Sequence, residues 1–257
     1  MKRLILAALI GIGLIASTQS RSEAALRLRL EDTVNNVGII IEDGGVGDLN
    51  PVVGAVTFIG TVGSFEVNVS TGVSKPVIGG GGISYSEMDL NSINTTTTGG
   101  SLQMILEDNN FPSVPQPDGQ SSFITTIGGT FTGAVGTFVT AESFVDPTNA
   151  TITGALIVPL PAPLPALAAV PVTAIQGMNE TFLTSPFSAT DVQSFVKSGP
   201  YSMFLEVNIT IVGPGSASFD HNILVPTVPE PASMVIWSLG AGALGLGGFW
   251  RRKRAAV

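Results

Sequence analysis

Hydrophobic and polar residues alternate with a period of two along several stretches of this chain. Every second residue from Leu26 to Leu30 is a leucine, and six apolar residues share one parity from Tyr201 to Ile211. Successive side chains of a β-strand point to opposite faces of a sheet, so this alternation predicts strands with one buried and one solvated face. Further strands are predicted at residues 37–41, 55–59, 65–69, 102–106, 130–140 and 216–224.

Turn-forming residues separate these predicted strands, and helical periodicity is scarce. Gly, Asn, Asp and Pro are concentrated at residues 43–45, 79–82 and 109–119, which predicts turns and loops there. Only residues 189–196 and the two ends of the chain have a pattern compatible with a helix. We therefore predict an all-β ectodomain at residues 25–227, a β-sandwich of the jelly-roll or immunoglobulin-like type.

A proline-rich stretch interrupts the ectodomain. Five prolines lie within residues 158–171, with Ala, Leu and Val between them. Proline neither continues a helix nor donates to a sheet ladder, so the stretch is predicted to be an extended connector. We interpret it as a loop inside one sandwich, because too few strands follow it to form a separate domain. A division into two domains is the alternative.

The C-terminal part of the chain has the features of a membrane anchor. Residues 232–250 carry no charge, and as a helix they would reach ~28 Å, close to the ~30 Å hydrocarbon thickness of a bilayer. Glycines dilute the hydrophobicity, which predicts a marginal, removable transmembrane helix. The basic residues behind it, which should stay cytoplasmic and stop transfer, are Arg251, Arg252, Lys253 and Arg254.

The N-terminal residues predict export. Lys2 and Arg3 precede an apolar run at residues 4–16, and small residues suit cleavage by signal peptidase after Ala24. Residues 1–24 are thus predicted to be a secretory signal peptide. The chain contains no cysteine, so no disulfide framework stabilises the exported part.

The end of the chain resembles a known sorting signal. Pro229, Glu230 and Pro231 precede the apolar segment and the terminal basic cluster, and residues 228–257 are similar in this order to the PEP-CTERM protein-sorting signal. The resemblance implies export and recognition of Pro-Glu-Pro by an exosortase-type membrane enzyme. It also implies an inner-membrane intermediate, removal of the helix, and delivery to the cell surface or extracellular matrix of a bacterium that makes exopolysaccharide.

The ectodomain is strongly acidic, although the two ends of the chain are basic. Residues 25–227 contain seventeen acidic and four basic residues, which gives a formal net charge of −13. Nucleic acid and anionic membrane surfaces are polyanions and would repel such a domain. The charge therefore argues against both as partners and favours cations or high solubility.

Carboxylates are the most frequent candidates for chemistry. A glycosidase needs two carboxyl groups at a defined separation, but several acidic pairs are available and the sequence specifies no two of them. The simpler expectation is that the pairs mark solvated strand ends and prevent edge-to-edge association. The acidic dipeptides that end apolar runs are Glu31-Asp32, Glu42-Asp43 and Glu107-Asp108.

A calcium site is one further hypothesis, since calcium prefers hard oxygen ligands on flexible loops. The candidate ligands are Glu42, Asp43, Asp48 and Asn50. Their spacing lacks the alternating ligands and the terminal Glu of an EF-hand loop, so no cofactor is assigned. The tripeptide Asp48-Leu49-Asn50 recurs as Asp89-Leu90-Asn91, which is compatible with two related turns.

No catalytic residue can be assigned from these patterns. His221 is the one histidine of the chain; no G-x-S-x-G elbow accompanies it, and the adjacent Asp220 should point to the other face of a strand. We therefore predict a non-catalytic surface or matrix protein that associates with exopolysaccharide. The alternative is an exported hydrolase or lyase that uses Asp or Glu on polysaccharide.

Overall fold

The computed structural model describes residues 26–74, 86–111, 120–151, 173–196 and 199–226. These residues form strands and turns, and no helix occurs among them. The strands are β1 Arg27–Asp32, β2 Val37–Glu42, β3 Ala55–Val62, β4 Phe65–Val73, β5 Ser86–Thr97, β6 Gly100–Phe111, β7 Gln120–Thr132, β8 Phe138–Asp146, β9 Ile175–Phe182, β10 Phe187–Val196, β11 Tyr201–Ile211 and β12 Gly215–Val225.

The strands form two antiparallel sheets of six. Sheet A has the order β2-β1-β6-β11-β8-β9, and sheet B has the order β10-β7-β12-β5-β4-β3. Strands β5 to β12 follow the order of a jelly roll, with 6-11-8-9 in one sheet and 5-12-7-10 in the other. The β1–β2 hairpin extends sheet A and the β3–β4 hairpin extends sheet B.

The apolar parity of the strands forms the core between the two sheets. Leu28, Leu205 and Ile223 are fully buried there, together with the alternate residues of neighbouring strands. The prediction of an all-β sandwich is therefore confirmed. Strands that precede and follow the proline-rich stretch at residues 158–171 pair with each other, as β11 does with β6 and β8; the stretch itself lies outside the described residues.

Two local predictions are wrong. Residues 189–196 are not helical but belong to β10, which pairs with β7 along ten residues. Pairing with a neighbouring strand overrides a weak local preference for helix. Residues 130–140 are not one strand, because the chain reverses between β7 and β8, where Gly133 and Gly136 have positive φ angles. Glycine adopts such angles readily.

The expectation that the Glu-Asp dipeptides mark solvated strand ends is also wrong for Glu31-Asp32 and Glu107-Asp108, whereas Glu42 and Asp43 are partly exposed. Asp32, Glu107 and Asp108 are completely buried. The glutamates face away from the core toward the two arginines of β1: Glu42 pairs with Arg27 at 3.0 Å, and Glu31 pairs with Arg29. Partnered charges are the form in which charged side chains become buried.

The aspartates of the same dipeptides connect sheet A to the β3–β4 hairpin of sheet B. Asp32 accepts hydrogen bonds from the backbone N–H and the hydroxyl of Ser64, both at 2.8 Å. Asp43 accepts one from the N–H of Gly54 at 2.6 Å, and Asp108 accepts one from Ser74 at 2.5 Å. We call Asp32, Asp43 and Asp108 the linking aspartates, because each joins the two sheets.

Candidate functional site

A polar groove crosses the outer face of sheet B. Its volume is about 580 Å³, and β10, β7, β12 and β5 contribute to it. Asp220 and Asn222 point outward here because the residues of opposite parity on β12, Phe219 and Ile223, are buried in the core. The polar side chains that line the groove, which we call the sheet B groove, are Asp89, Thr126, Ser188, Thr190, Asp220 and Asn222.

Hydrogen bonds hold the groove side chains in place. The N–H of Ser92 donates to Oδ1 of Asp220 at 2.5 Å, and the hydroxyl of Thr126 donates to Oδ1 of Asn222 at 2.6 Å. Asn91 donates to Oδ2 of Asp89 at 3.3 Å. The groove thus presents carboxylate, amide and hydroxyl groups in fixed positions, all of them able to bind hydroxyl groups of a ligand.

The carboxylates of the groove repel one another. Burial raises the pKa of Asp89, and the charge of Asp220 raises it further against the hydrogen bond from Asn91. Burial also raises the pKa of Glu87, and the charge of Asp89 adds to this rise. The proton is therefore held more tightly at this face than on isolated carboxylates, because neighbouring negative charges disfavour ionisation.

The floor of the groove is open because one of two adjacent glycines faces it. A Cβ atom on Gly128 would lie 3.8 Å from the carbonyl oxygen of Phe187, an ordinary contact. A Cβ atom on Gly129 would lie 2.4 Å from the carbonyl oxygen of Ser218, which is impossible without a backbone shift. A side chain at position 128 would accordingly fill the groove without disturbing the sheet.

His221 lies between two groove residues but does not belong to the groove chemistry. Its cross-strand partners are Leu90 and Ile127, and its side chain is completely buried. Neither ring nitrogen has a hydrogen-bond partner among the described residues. Burial lowers the pKa of His221 to about 3, so the imidazole is neutral at physiological pH and lies away from the carboxylate of Asp220.

The loop that carries the calcium hypothesis covers the edge of β3. Asp48 accepts hydrogen bonds from the N–H groups of Gly44, Asn50 and Thr57 at 2.9, 2.8 and 3.0 Å. Leu49 donates to the carbonyl of Thr57 at 2.9 Å. The loop therefore occupies backbone groups on the outer side of an edge strand, a known way to prevent association of sheets.

The four calcium candidates do not converge. Asp43 and Asp48 are close enough for the charge of Asp48 to contribute to the raised pKa of Asp43, for which burial is the largest cause. Glu42 is directed to Arg27, and Asn50 accepts from the N–H of Val52 at 3.0 Å. Within the described ranges, no group of three or more His, Asp or Glu side chains could hold a metal ion. The calcium hypothesis stays a prediction.

Sequence analysis did not identify the groove residues as a site. The repeated tripeptide Asp89-Leu90-Asn91 was one available indication, but it lies inside β5 and not in a turn. Asp220 and Asn222 flank His221, and this polar triplet inside a predicted strand was a second indication. Only strand pairing brings Asp89 opposite Asn222.

The predicted sorting residues lie outside the described residues, which end at residue 226. These residues are Pro229, Glu230, Pro231, Arg251, Arg252, Lys253 and Arg254. Where the structure describes the chain, no helix is both long and apolar enough to cross a membrane. The predicted signal peptide at residues 1–24 and the predicted helix at residues 232–250 fall outside this part.

Comparison with solved structures finds β-rich carbohydrate-binding modules and an adhesin domain. The module TmCBM61 with bound β-1,4-galactotriose is 9% identical, over 65% of this chain and 91% of that chain, at a TM-score of 0.29. Family 16 Carbohydrate Binding Module-2 is 12% identical, over 56% and 86% of the two chains, at 0.26.

The third example is the K3 adhesin domain of Lys-gingipain from Porphyromonas gingivalis. It is 8% identical, over 52% of this chain and 72% of that chain, at a TM-score of 0.23. Similarity at this level does not indicate a shared ligand. No curated protein is significantly similar to the chain in sequence.

Comparison with protein families gives one assignment, at the C-terminus. The family of the PEP-CTERM protein-sorting motif matches residues 227–253. The match contains Pro229, Glu230 and Pro231, as the resemblance in the sequence implied. It begins two residues after the end of β12 at Val225. The chain therefore carries the PEP-CTERM protein-sorting motif at residues 227–253, and this motif indicates a protein that is exported and processed by an exosortase-type enzyme.

Proposed function

We propose that the ectodomain is a non-catalytic protein of the cell surface or extracellular matrix whose sheet B groove binds exopolysaccharide. The lining of the groove carries this proposal. Two carboxylates, an amide and three hydroxyls from four strands surround one hollow of about 580 Å³. Such side chains exchange hydrogen bonds with sugar hydroxyls, and the volume is in the range of ligand-binding pockets.

The charge of the groove selects among polysaccharides. Asp89 and Asp220 lie in it, Glu87 lies beside it, and the described lining contains no Lys or Arg. Polymers rich in uronate or sulfate would meet like charge and be repelled. The proposed ligand is consequently a neutral, hydroxyl-rich chain.

The proposal includes the steps by which the protein reaches the cell surface. Signal peptidase removes residues 1–24, the helix at residues 232–250 holds an inner-membrane intermediate, and the exosortase-type enzyme then releases the ectodomain. Fractionation of cells that produce the Glu230→Ala protein tests this route. Accumulation of the unprocessed form in the membrane is expected, whereas normal release would contradict recognition through Pro-Glu-Pro.

Binding to exopolysaccharide isolated from the producing strain tests the groove. Asn222→Ala removes the central amide, and Gly128→Val fills the floor at a position where a Cβ atom fits. Both proteins should lose most retention on the immobilised polymer, whereas a matched control on the opposite sheet, Asn208→Ala, should keep it. Equal retention of all four proteins would refute binding in the groove, and preferential binding of uronate-rich polymers would refute the neutral ligand.

A hydrolase is the second candidate, and one observation favours it. Asp89, whose pKa is raised by burial and by Asp220, shares the groove with that second carboxylate, which lies on the neighbouring strand β12, and glycosidases pair a protonated carboxyl with an ionised one. Incubation with the polymer should release reducing ends if the groove is catalytic, and Asp89→Asn should abolish the release. Retention of polymer without release would favour the binding protein.

A further inference from the structure

A second hollow lies on the same outer face of sheet B, on the other side of β5. Its volume is about 360 Å³, and it is formed by β3, β4 and β5. It contains both apolar and polar groups, since Ile59 is 62% exposed beside two asparagines. The side chains that line it, which we call the β3–β5 hollow, are Ile59, Thr61, Glu66, Asn68, Asn94 and Thr96.

A β-bulge in β5 brings the two hollows to one face. The register of β5 against β12 shifts so that Asn91 and Ser92 together lie opposite Asp220. Ser92 has a φ of 53°, and its N–H binds Asp220. Asp89 and Asn94 are five positions apart, so in a regular strand they would face opposite sides. The extra residue of the bulge restores Asn94 to the face of Asp89.

Asn68 supplies an observation that points to a ligand. Its Oδ1 atom is buried and has no hydrogen-bond partner among the described residues. A buried acceptor without a donor costs free energy, and native proteins rarely leave one unpaired. The same side chain lines the β3–β5 hollow. A turn of the Asn68 amide about χ2 would present this oxygen to the hollow, where a hydroxyl group of a ligand would donate the missing hydrogen bond.

The register aligns this acceptor with its neighbours across the sheet. Asn94 lies opposite Asn68 on one side and opposite Ser218 on the other, and Asn68 lies opposite Ile59. A row of polar side chains therefore leads from Ser218 on β12 to Asn68 on β4 and ends at the apolar Ile59 on β3, while the sheet B groove extends from β5 to β10. With strands ~4.8 Å apart, the six strands span about 24 Å, which is long enough for several consecutive sugar rings.

We infer that the β3–β5 hollow is a second subsite, and that one polysaccharide chain lies across all six strands of sheet B. This inference rests on the proposed function and specifies its ligand as an extended polymer. Asn68 and Asn94 exchange hydrogen bonds with hydroxyls, and the exposed Ile59 contacts the apolar face of a sugar ring. Short fragments occupy only the groove, and long fragments occupy both sites.

Calorimetric titration with size-fractionated fragments of the exopolysaccharide tests the second subsite. Asn68→Ala should weaken the binding of long fragments about fivefold, the effect of one neutral hydrogen bond, and leave short fragments unaffected. Asn222→Ala should weaken both, and the control Asn208→Ala should weaken neither. In the free protein, Asn68→Ala should not lower the melting temperature, because it removes an unpaired acceptor.

The titrations distinguish a failure of the second subsite from a failure of binding in the sheet B groove. If Asn222→Ala weakens binding but Asn68→Ala leaves long and short fragments bound as in the unmodified protein, the second subsite is refuted and the proposed function stands. If long fragments bind no better than short ones in the unmodified protein, the subsite is refuted as well. If neither variant changes binding, the groove itself is refuted, and the subsite with it.

Discussion

Asp32 at the junction of the sheets and Asp89 in the sheet B groove are both carboxylates on strands of an acidic domain, but their surroundings differ. Asp32 accepts five hydrogen bonds, from the N–H groups of Val34, Asn35 and Ser64 and from two side chains. Burial alone would raise its pKa, but these donors outweigh burial and lower it. Burial raises the pKa of Asp89, its one weak donor, Asn91, does not offset burial, and the charge of Asp220 raises the pKa further.

The number of donors therefore determines the direction of the pKa shift, and the linking aspartate Asp43, with the single donor Gly54, has a raised pKa although it holds the fold. Asp146 follows the pattern of Asp32: burial raises its pKa, but hydrogen bonds from Thr148, Thr173 and Ala150 lower it overall. On the outer face of sheet A, Glu142 follows the pattern of Asp89, because burial and the cross-strand Glu206 raise its pKa. Negative charge in this domain has two roles, and exposure alone does not distinguish them.

The largest expected effect is the loss of Asp32. Asp32→Ala leaves the donors of Ser64 and Asn35 without the buried acceptor that they share, and it should lower the free energy of unfolding by about 3 kcal/mol. Chemical denaturation measures this change. The control Asp220→Ala removes a carboxylate from the groove and should cost less than about 1 kcal/mol. Similar losses in both proteins would contradict the division into two roles.

Alanine substitutions at the adjacent residues Gly128 and Gly129 should likewise differ in their effect on stability. Gly129→Ala places a Cβ atom 2.4 Å from the carbonyl of Ser218 and 2.6 Å from Cβ of Phe219, so the sheet must shift, at a cost of about 2 kcal/mol. Gly128→Ala meets no atom closer than 3.8 Å and should be neutral or slightly stabilising. Thermal melts of the two proteins measure this difference. Equal melting temperatures would contradict the arrangement in which a Cβ atom fits at position 128 but not at position 129.

Acid should destabilise the domain through His221. The unfolded chain has an ordinary histidine pKa of ~6.5, and the folded protein has a pKa of about 3, so the unfolded state binds more protons between these values. Stability from this residue is therefore lost as the pH falls below ~6.5, by up to about 1.4 kcal/mol per pH unit. His221→Leu should flatten the pH dependence of denaturation between pH 6.5 and 4.

The stability that Asp32 contributes to the folded state through its lowered pKa is lost at a lower pH than that of His221. Its contribution is complete above the unfolded pKa of ~3.9 and is lost as the pH falls through the folded pKa. Asp89 contributes to the pH dependence of stability with the opposite sign, since its raised pKa in the folded state makes the folded state the better proton acceptor.

If the His221→Leu protein kept the full loss of stability between pH 6.5 and 4, the buried histidine would not be the source of that loss.

The smallest expected effect concerns the repulsion in the groove. Asp89→Asn removes the unfavourable negative charge but keeps an oxygen for the hydrogen bond from Asn91, and it should raise stability at pH 7 by a few tenths of a kcal/mol. The gain should vanish near pH 3, where the aspartate is protonated. Glu142→Gln, facing Glu206 on sheet A, is the matched variant and should behave alike; a loss of stability in either would contradict repulsion.

Strand periodicity predicted much of the fold because it is a local property. The alternating runs at β1, β4, β11 and β12 were each identified from their own residues. Strand β10 was missed, because its alternation is weak and its conformation depends on pairing with β7. The connection from β7 in sheet B to β8 in sheet A was missed for a related reason: Gly133 and Gly136 lie inside a run of residues that has the pattern of one strand.

The roles of the acidic residues could not be predicted in the same way. The sequence shows Glu-Asp dipeptides at strand ends, but Asp32 and Ser64 are 32 positions apart, and only the stacking of two sheets makes them partners. The calcium candidates formed a compact group in sequence, yet in the fold Glu42 turns to Arg27 while Asp48 holds the loop on β3. Proximity along the chain indicated a shared site where the structure shows separate partners.

Contiguous residues are sufficient to indicate the destination of this protein, because the sorting motif at residues 227–253 is recognised as a linear segment. Its class of fold follows from residues two apart, since the pleat of a strand sends them to the same face. The groove required tertiary structure: a single extra residue at Asn91–Ser92 determines that Asp89 and Asn94 share a face, and pairing across residues far apart in the chain brings Asp89 beside Asn222. Register is a non-local property, so no local pattern contains it.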